Sequence, residues 1–237
     1  MSDILEEIRK ELREASDEKT RQSGLRFFRE EVTLYGIKSK TVSDIAKQTW
    51  ALIKGLGKEE ILGLCDSLWQ SGMMEESFIA CSWSEKLGPR LINSDFTVLE
   101  RWVHNYVTNW ASCDTLCNHT VGDFIQKYPE RLGDLRKWAK SDNRWVKRAS
   151  AVSLIIPARR GKFLDDIFEI AGILLTDPDD MVQKGYGWML KAASQAHQEE
   201  VFNYVMQYKA IMPRTALRYA IEKMPPALRT MAMEKNK

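Results

Sequence analysis

Hydrophobic residues recur along the chain at every third or fourth position, which is the spacing of one face of an amphipathic α-helix. In the first segment, ILEEIRKELREA, this spacing places Ile4, Leu5, Ile8 and Leu12 on one side. The same period returns in about a dozen segments of roughly 10–16 residues, without the alternation that marks a β-strand. The pattern predicts an all-α protein.

Two segments resemble each other and predict a helical repeat. SDNRWVKRASAVSLI (141–155) and TDPDDMVQKGYGWMLKAAS (176–194) each have an acidic start, an aliphatic residue (Val146 and Val182), a base and a patch of small residues. Their offset of about 36 residues is close to the period of HEAT and armadillo repeats. We therefore expect a HEAT-like solenoid with a concave basic surface, forming a single domain over residues 1–237. A compact helical bundle without repeats is the alternative.

Polar residues mark where these two helices should begin. Either Ser141 or Asp142 could cap the helix that contains RWVKRASAV. Residues 176–180 combine a proline with three acids, a composition typical of a helix start.

Charge is distributed unevenly in a chain whose net charge is only +2. Residues 1–100 contain 18 acids and 14 bases, whereas residues 101–237 contain 15 acids and 21 bases. Residues 131–162 alone hold ten bases and two acids. Such clustering indicates a surface that binds a polyanion, although a solvated basic surface without a partner would give the same pattern.

The lengths of the apolar runs and the pattern of cysteines argue against a membrane-spanning or secreted protein and against a metal site. No apolar run reaches the roughly 18–20 residues that cross a bilayer, and the first residues lack the apolar core of a signal peptide. We therefore expect a cytoplasmic protein, in which Cys65, Cys81, Cys113 and Cys117 stay reduced. Cys113, Cys117 and His119 are close in sequence, but no second Cys/His pair completes a tetrahedral set, which favours buried thiols over a metal site. No metal or organic cofactor is expected.

Tryptophan is the unusual residue of this sequence, with eight copies. Three of them stand one helical turn from a charged residue: Trp110 before Asp114, Trp145 before Arg148, and Trp188 before Lys191. The others are predicted to lie in the core, as is Trp145: Trp50, Trp69, Trp83, Trp102 and Trp138. The signatures of P-loop, zinc-dependent and serine-dependent enzymes are absent, and the three histidines are scattered.

Four of these residues resemble, in order and spacing, the active-site set of the AlkD-type DNA alkylation repair glycosylases. They are Trp110, Asp114 four residues beyond, Arg148 within SDNRWVKRA, and Trp188 within QKGYGWMLK. The segments LYGIKS (34–39) and VGDFIQKYPE (121–130) are similar to the family as well, so the resemblance covers essentially the whole chain.

The resemblance implies a monofunctional glycosylase that removes cationic N3- or N7-alkylated purines from double-stranded DNA, acting as a monomer. Asp114 would stabilise the oxocarbenium-like transition state, Trp110 and Trp188 would flank the lesion nucleotide, and Arg148 would bind a phosphate. The resemblance also implies that the lesion is handled at the concave surface, and it leaves open whether a pocket receives the base. The basic residues expected to bind DNA are Arg144, Lys147, Arg148, Arg159, Arg160, Lys184 and Lys191.

Three positions depart from residues that family members can carry: Ile156 replaces a lysine, Lys191 an arginine and Phe27 a tyrosine. These differences bear on affinity for the DNA backbone and on substrate range more than on the chemistry. Asp114 could instead cap a helix beginning near Thr115, and Arg148 could be a structural ion-pair partner. The rival function is a non-catalytic HEAT-repeat module that binds DNA or protein.

Overall fold

The computed structural model describes residues 2–234, in which helices alternate with connections that include the irregular residues 26–38. No β-strand occurs in these residues, where an isolated parallel bridge joins Thr33 to Met73. The sixteen described α-helices are α1 Ser2–Glu14, α2 Glu18–Leu25, α3 Ser39–Ile53, α4 Lys58–Gln70, α5 Met74–Leu87, α6 Phe96–Asn105, α7 Trp110–Leu116, α8 Gly122–Lys127, α9 Leu132–Trp138, α10 Arg144–Val152, α11 Ile155–Arg159, α12 Leu164–Leu174, α13 Asp180–Ala193, α14 Gln198–Tyr208, α15 Arg214–Ile221 and α16 Pro226–Met233. The predicted all-α class is confirmed.

The helices form two compact units, Met1–Leu116 and Cys117–Lys237. In the first unit α5 packs against α3 and α4, and the buried Trp83 indole donates a hydrogen bond to the carbonyl of Ala46 at 3.1 Å. In the second unit α13 is central and packs against α10, α12 and α15. The single domain expected over residues 1–237 stays a prediction.

The two similar segments, residues 141–155 and 176–194, contain the helices α10 and α13 of the second unit, which pack together. Their N-caps are also 36 residues apart. The Asn143 side chain accepts a hydrogen bond from the backbone amide of Trp145, and the Asp179 side chain accepts one from the backbone amide of Met181. The expectation that Ser141 or Asp142 caps α10 was therefore wrong by one or two positions. Ser141 instead accepts a hydrogen bond from the amide of Asn143 through its hydroxyl.

A buried carboxylate fixes the connection between α2 and α3. Glu75, in the first turn of α5, is 4% exposed. It accepts hydrogen bonds from the backbone amides of Tyr35, Gly36 and Ile37 at 3.1, 2.9 and 3.2 Å. Hydrogen bonds from N–H groups to an ionised acceptor are stronger than neutral ones. One side chain, that of Glu75, thus holds the LYGIKS segment through three hydrogen bonds, and we call this arrangement the Glu75 latch.

The neighbouring Glu76 ties the same segment to α1. Its carboxylate is 1% exposed and accepts from the guanidinium of Arg9 at 3.1 Å and from the phenol of Tyr35 at 2.8 Å. Burial and the hydrogen bond to Glu76 raise the pKa of Tyr35 to about 12. The phenol therefore keeps its proton and remains a donor at neutral pH.

Five tryptophans predicted as core residues are buried: Trp69, Trp83, Trp102, Trp138 and Trp145. Trp50 is only partly buried, and the ammonium of Lys86 lies 5.7 Å from its ring centroid, so the core prediction fails there.

The four cysteines are buried free thiols. Burial raises the pKa of Cys65 and Cys81, which keeps these thiols neutral. Within residues 2–234 no group of three or more His, Cys, Asp or Glu side chains could hold a metal ion. None of the described helices is both long enough and apolar enough to span a membrane.

Candidate active site

Trp110 and Asp114 both lie on α7 of the first unit. The helix begins at Trp110, and the preceding residue, Asn109, accepts a hydrogen bond from the amide of Ser112 at 2.9 Å. Asn109 is therefore the capping residue, and Asp114 lies inside the helix rather than before it. The alternative that Asp114 caps a helix beginning near Thr115 is wrong. Trp110 and Asp114 are instead separated by one helical turn, as the sequence predicted, and both are half-buried.

Trp110 is held by an aromatic partner that the sequence did not predict. The rings of Trp110 and Phe28 stack, with centroids 5.3 Å apart and planes inclined by 19°. Phe28 belongs to the connection that the Glu75 latch holds in place. The two adjacent phenylalanines of RFFRE, in a strongly polar stretch, were the only available signal. Such pairs add about 0.5–1.5 kcal/mol beyond the burial of their surface.

The stacked rings form part of the wall of a pocket within the first unit. Its volume is about 730 Å³, and its lining combines aromatic, apolar and charged side chains from α2, the connection between α2 and α3, α3, α5 and α7. Phe27, which stands where family members can carry tyrosine, also lines the pocket and is 73% exposed.

Arg148 lies on α10 of the second unit and is 4% exposed. Its Nη1 donates to the carbonyl of Met181 at 2.5 Å, at the start of α13. The aliphatic part of the side chain lies against Gly185, where a Cβ atom would be only 3.2 Å from the Arg148 Cγ. Trp188, one turn beyond Gly185 on α13, is partly exposed. Because Gly185 has no side chain, the Arg148 side chain can pack closely against α13, the helix that also carries Trp188.

Three bases predicted to bind DNA are paired with acids at the start of α13 or in the residues just before it. Three ion pairs connect them to the start of α13: Arg144–Asp179 at 2.9 Å, Lys147–Asp177 at 2.8 Å and Lys184–Asp180 at 2.6 Å. The first two pairs join residues thirty or more positions apart, which the local charge pattern did not indicate. These bases are oriented, but part of their positive charge is balanced within the protein.

The remaining predicted DNA-binding bases differ in exposure. Lys191 is paired with Glu222 at 2.9 Å, and its ammonium lies 5.4 Å from the ring centroid of Tyr219. Arg159 and Arg160 are exposed, and Arg160 donates to the side chain of Gln126 at 3.1 Å. The two arginines at the end of α11 are therefore the most accessible bases of the predicted set.

The sequence model of a family of DNA alkylation repair enzymes matches residues 8–224. The chain belongs to the DNA alkylation repair enzyme family. A solved structure described as a predicted DNA alkylation repair enzyme from Enterococcus faecalis has the same fold, with a TM-score of 0.80. The two chains are 15% identical over 89% of this chain and 97% of the other. No curated protein matches the chain in sequence.

Family membership gives this DNA alkylation repair enzyme a role in the repair of alkylated DNA. The structure places the four predicted catalytic residues as two pairs. Trp110 and Asp114 share α7 in the first unit, whereas Arg148 and Trp188 lie on two packed helices of the second unit. Their roles in catalysis remain predictions.

Proposed function

We propose that this DNA alkylation repair enzyme is a monofunctional glycosylase, which hydrolyses the N-glycosidic bond of N3- or N7-alkylated purines in double-stranded DNA. The observation that carries the proposal is the pairing on α7. A half-buried carboxylate, Asp114, lies one turn from an indole, Trp110, whose orientation is fixed by stacking on Phe28.

The chemistry follows from the charge of the lesion. Alkylation makes the purine cationic, so that when the bond between C1′ and the base nitrogen breaks, its electron pair neutralises the leaving base. Positive charge then develops on the sugar, as in glycoside hydrolysis. The Asp114 carboxylate stabilises this charge and orients a water molecule, whose oxygen bonds to C1′ and whose proton passes through Asp114 to solvent. The products are the free alkylated base and an abasic site.

The aromatic residues favour a cationic substrate. The face of an indole attracts a positive charge, and this attraction helps catalysis where it is stronger in the transition state than in the ground state. We assign this role to Trp110, and to Trp188 the role of a second indole that contacts the lesion nucleotide. Arg148, with its planar and permanently charged guanidinium, is assigned to a DNA phosphate.

Backbone binding would rest first on Arg159 and Arg160, because they are exposed. The bases paired with acids at the start of α13 would contribute less unless DNA displaces those acids. Such binding is independent of sequence and weakens as salt concentration rises.

The test is release of 7-methylguanine and 3-methyladenine from methylated duplex DNA by wild type and by Asp114→Asn, with DNA binding measured in parallel. We expect the variant to bind DNA normally and to release base at least about 100-fold more slowly. Asp44→Asn changes an acid of α3 that pairs with Lys40 at 3.3 Å; it is the matched control and should behave as wild type. If wild type binds DNA but releases no base, the protein is a binding module and the proposal is wrong.

A further inference from the structure

Three exposed bases lie in the turn that joins α11 to α12. Arg159, Arg160 and Lys162 belong to residues 159–163, which we call the basic turn, and no acid occurs between positions 143 and 164. Within residues 2–234 no ion pair includes any of the three, whereas four predicted DNA-binding bases of α10 and α13 are paired with acids. The positive charge of the basic turn is therefore available to a partner outside the protein.

We propose that the basic turn binds the DNA backbone as a preformed unit, with Lys162 as a further phosphate contact and His197 as the residue that holds the turn in position. This inference rests on the proposed function and specifies how the enzyme binds the duplex that it repairs. His197 has no part in the proposed chemistry, and it lies too far from the turn in sequence for a local pattern to have indicated this role.

The backbone of the basic turn is fixed by its own hydrogen bonds. The Gly161 amide donates to the carbonyl of Ala158 at 2.9 Å. The Lys162 amide donates to the carbonyl of Pro157 at 3.0 Å, which completes a Schellman motif at the end of α11. Both Gly161 and Phe163 have a positive φ, 74° and 62°, and among the described residues Phe163 is the one non-glycine with this conformation. Such a backbone persists only where the surrounding structure imposes it, and it occurs often at functional sites.

His197 holds the turn from the connection between α13 and α14. Its Nε2 donates a hydrogen bond to the carbonyl of Gly161 at 3.1 Å, since a carbonyl oxygen can only accept. A Cβ atom at Gly161 would be 3.3 Å from this nitrogen and 3.5 Å from the Ala196 Cβ, so the ring lies directly against the glycine. The amide of His197 donates to the carbonyl of Ala193 at 2.9 Å, which fixes the histidine to the end of α13.

A second side chain holds the turn from α8. The guanidinium of Arg160 donates to the side-chain oxygen of Gln126 at 3.1 Å. Two nearby acids contact these holding residues: Asp123 accepts from Gln126 at 3.1 Å, and the Glu200 carboxylate lies 3.8 Å from Nδ1 of His197. The turn is therefore held from two sides, while its three bases stay exposed.

Exposed bases on a fixed backbone suit the phosphates of a DNA strand. Arg159 and Arg160 carry planar guanidinium groups that can donate two hydrogen bonds to one phosphate, and Lys162 adds a point charge. A preformed turn also lowers the entropy that is lost when binding orders these side chains. Asp165, the next acid along the chain, is exposed in the first turn of α12, where its charge offsets the positive end of that helix.

Binding to undamaged duplex DNA, measured at several salt concentrations, tests the proposal without any catalytic step. Lys162→Ala should reduce the slope of log affinity against log salt by about 0.9, the value for one phosphate contact. His197→Ala should weaken binding by about 5-fold and reduce the slope as well, because the bases lose their fixed turn. His197→Gln keeps a side-chain N–H that can donate to Gly161 and should restore both. Gln195→Ala changes an exposed residue of the same connection and should behave as wild type.

Thermal unfolding and base release complete the test. If His197→Ala melts at a lower temperature but binds DNA with the affinity and slope of wild type, His197 has only a structural role and its part of the proposal is overturned. An unchanged slope for Lys162→Ala overturns the phosphate contact, even if His197→Ala fails to fold. Where wild type releases 7-methylguanine from methylated duplex DNA and both variants bind as wild type does, the glycosylase proposal stands and the basic turn is refuted. If wild type binds DNA without releasing base, the glycosylase proposal fails instead, and the salt slopes still decide whether the turn binds DNA.

Discussion

Gly187 lies in the interior of α13, at the closest approach of that helix to α15. A Cβ atom at this position would be 2.7 Å from the Tyr219 Cβ, 2.9 Å from the Ala216 carbonyl oxygen and 3.2 Å from the Ala216 Cα. These atoms belong to the backbone of α15 or are directly attached to it. They cannot move aside by a side-chain rotation, so Gly187→Ala must push the two helices apart.

The expected cost is the difference between two opposing effects. Alanine is favoured over glycine in a helix interior by about 1 kcal/mol, whereas overpacking a close contact costs about 1–3 kcal/mol. Because the nearest atoms are backbone atoms, we take the upper part of that range and expect a net loss of about 2 kcal/mol. For a chain of this size such a loss lowers Tm by about 4–8 °C.

Thermal unfolding followed by circular dichroism measures this difference. Gly172→Ala is the matched control in the same unit, since Gly172 is exposed on α12 and the nearest atom to its added Cβ would be the Tyr204 hydroxyl at 3.8 Å. The control should gain about 0.5–1 kcal/mol from helix propensity alone. A Tm for Gly187→Ala equal to or above that of wild type would refute the reasoning, because it would mean that α15 yields without cost.

Three further predictions follow from particular contacts. Arg159→Ala should reduce the slope of log affinity against log salt in DNA binding by about 0.9, the value for one phosphate contact; Lys147→Ala should reduce it less, because Lys147 already pairs with an acid. Glu75→Gln should lower the free energy of unfolding in urea by about 2 kcal/mol. The glutamine side chain can accept hydrogen bonds from the backbone amides only through its oxygen, whereas both carboxylate oxygens of Glu75 accept them. Burial raises the pKa of Cys65 and Cys81, so the folded protein keeps protons that the unfolded chain releases above about pH 8.5. Stability in urea should therefore fall as pH rises above that value, and a flat profile to pH 10 would contradict this.

The helices could be predicted because their signal is local. A stripe of apolar residues at a spacing of three to four specifies a helix that must bury one face, and Val146 and Val182 are fully buried at equivalent positions of α10 and α13. The N-cap of α10 was misplaced because several neighbouring polar residues can accept the same amide hydrogen bond. The backbone conformation, which only the folded chain fixes, selects Asn143.

The charge pattern predicted less accurately which basic residues are accessible, for a physical reason. Counting bases along residues 131–162 treats each as exposed, but Arg144 and Lys147 pair with acids that follow them by thirty or more residues. The repeat that brings α13 against α10 also brings its acidic start against the bases of α10. A basic stretch in one repeat is therefore partly neutralised by the next, and only the folded arrangement identifies Arg159 and Arg160 as the accessible bases.

The environment of Trp110 depends on contacts that no local pattern contains. Phe28 precedes Trp110 by 82 positions, and it lies in a connection whose backbone is held by Glu75, some 40 residues further on. The spacing of Trp110 and Asp114 could be predicted because one helix carries both, whereas the orientation of the indole requires three separate segments to fold together. Glu75→Gln should accordingly change more than stability. If the latch holds Phe28 against Trp110, its loss should also slow base release, while Asp114 stays unaltered on α7.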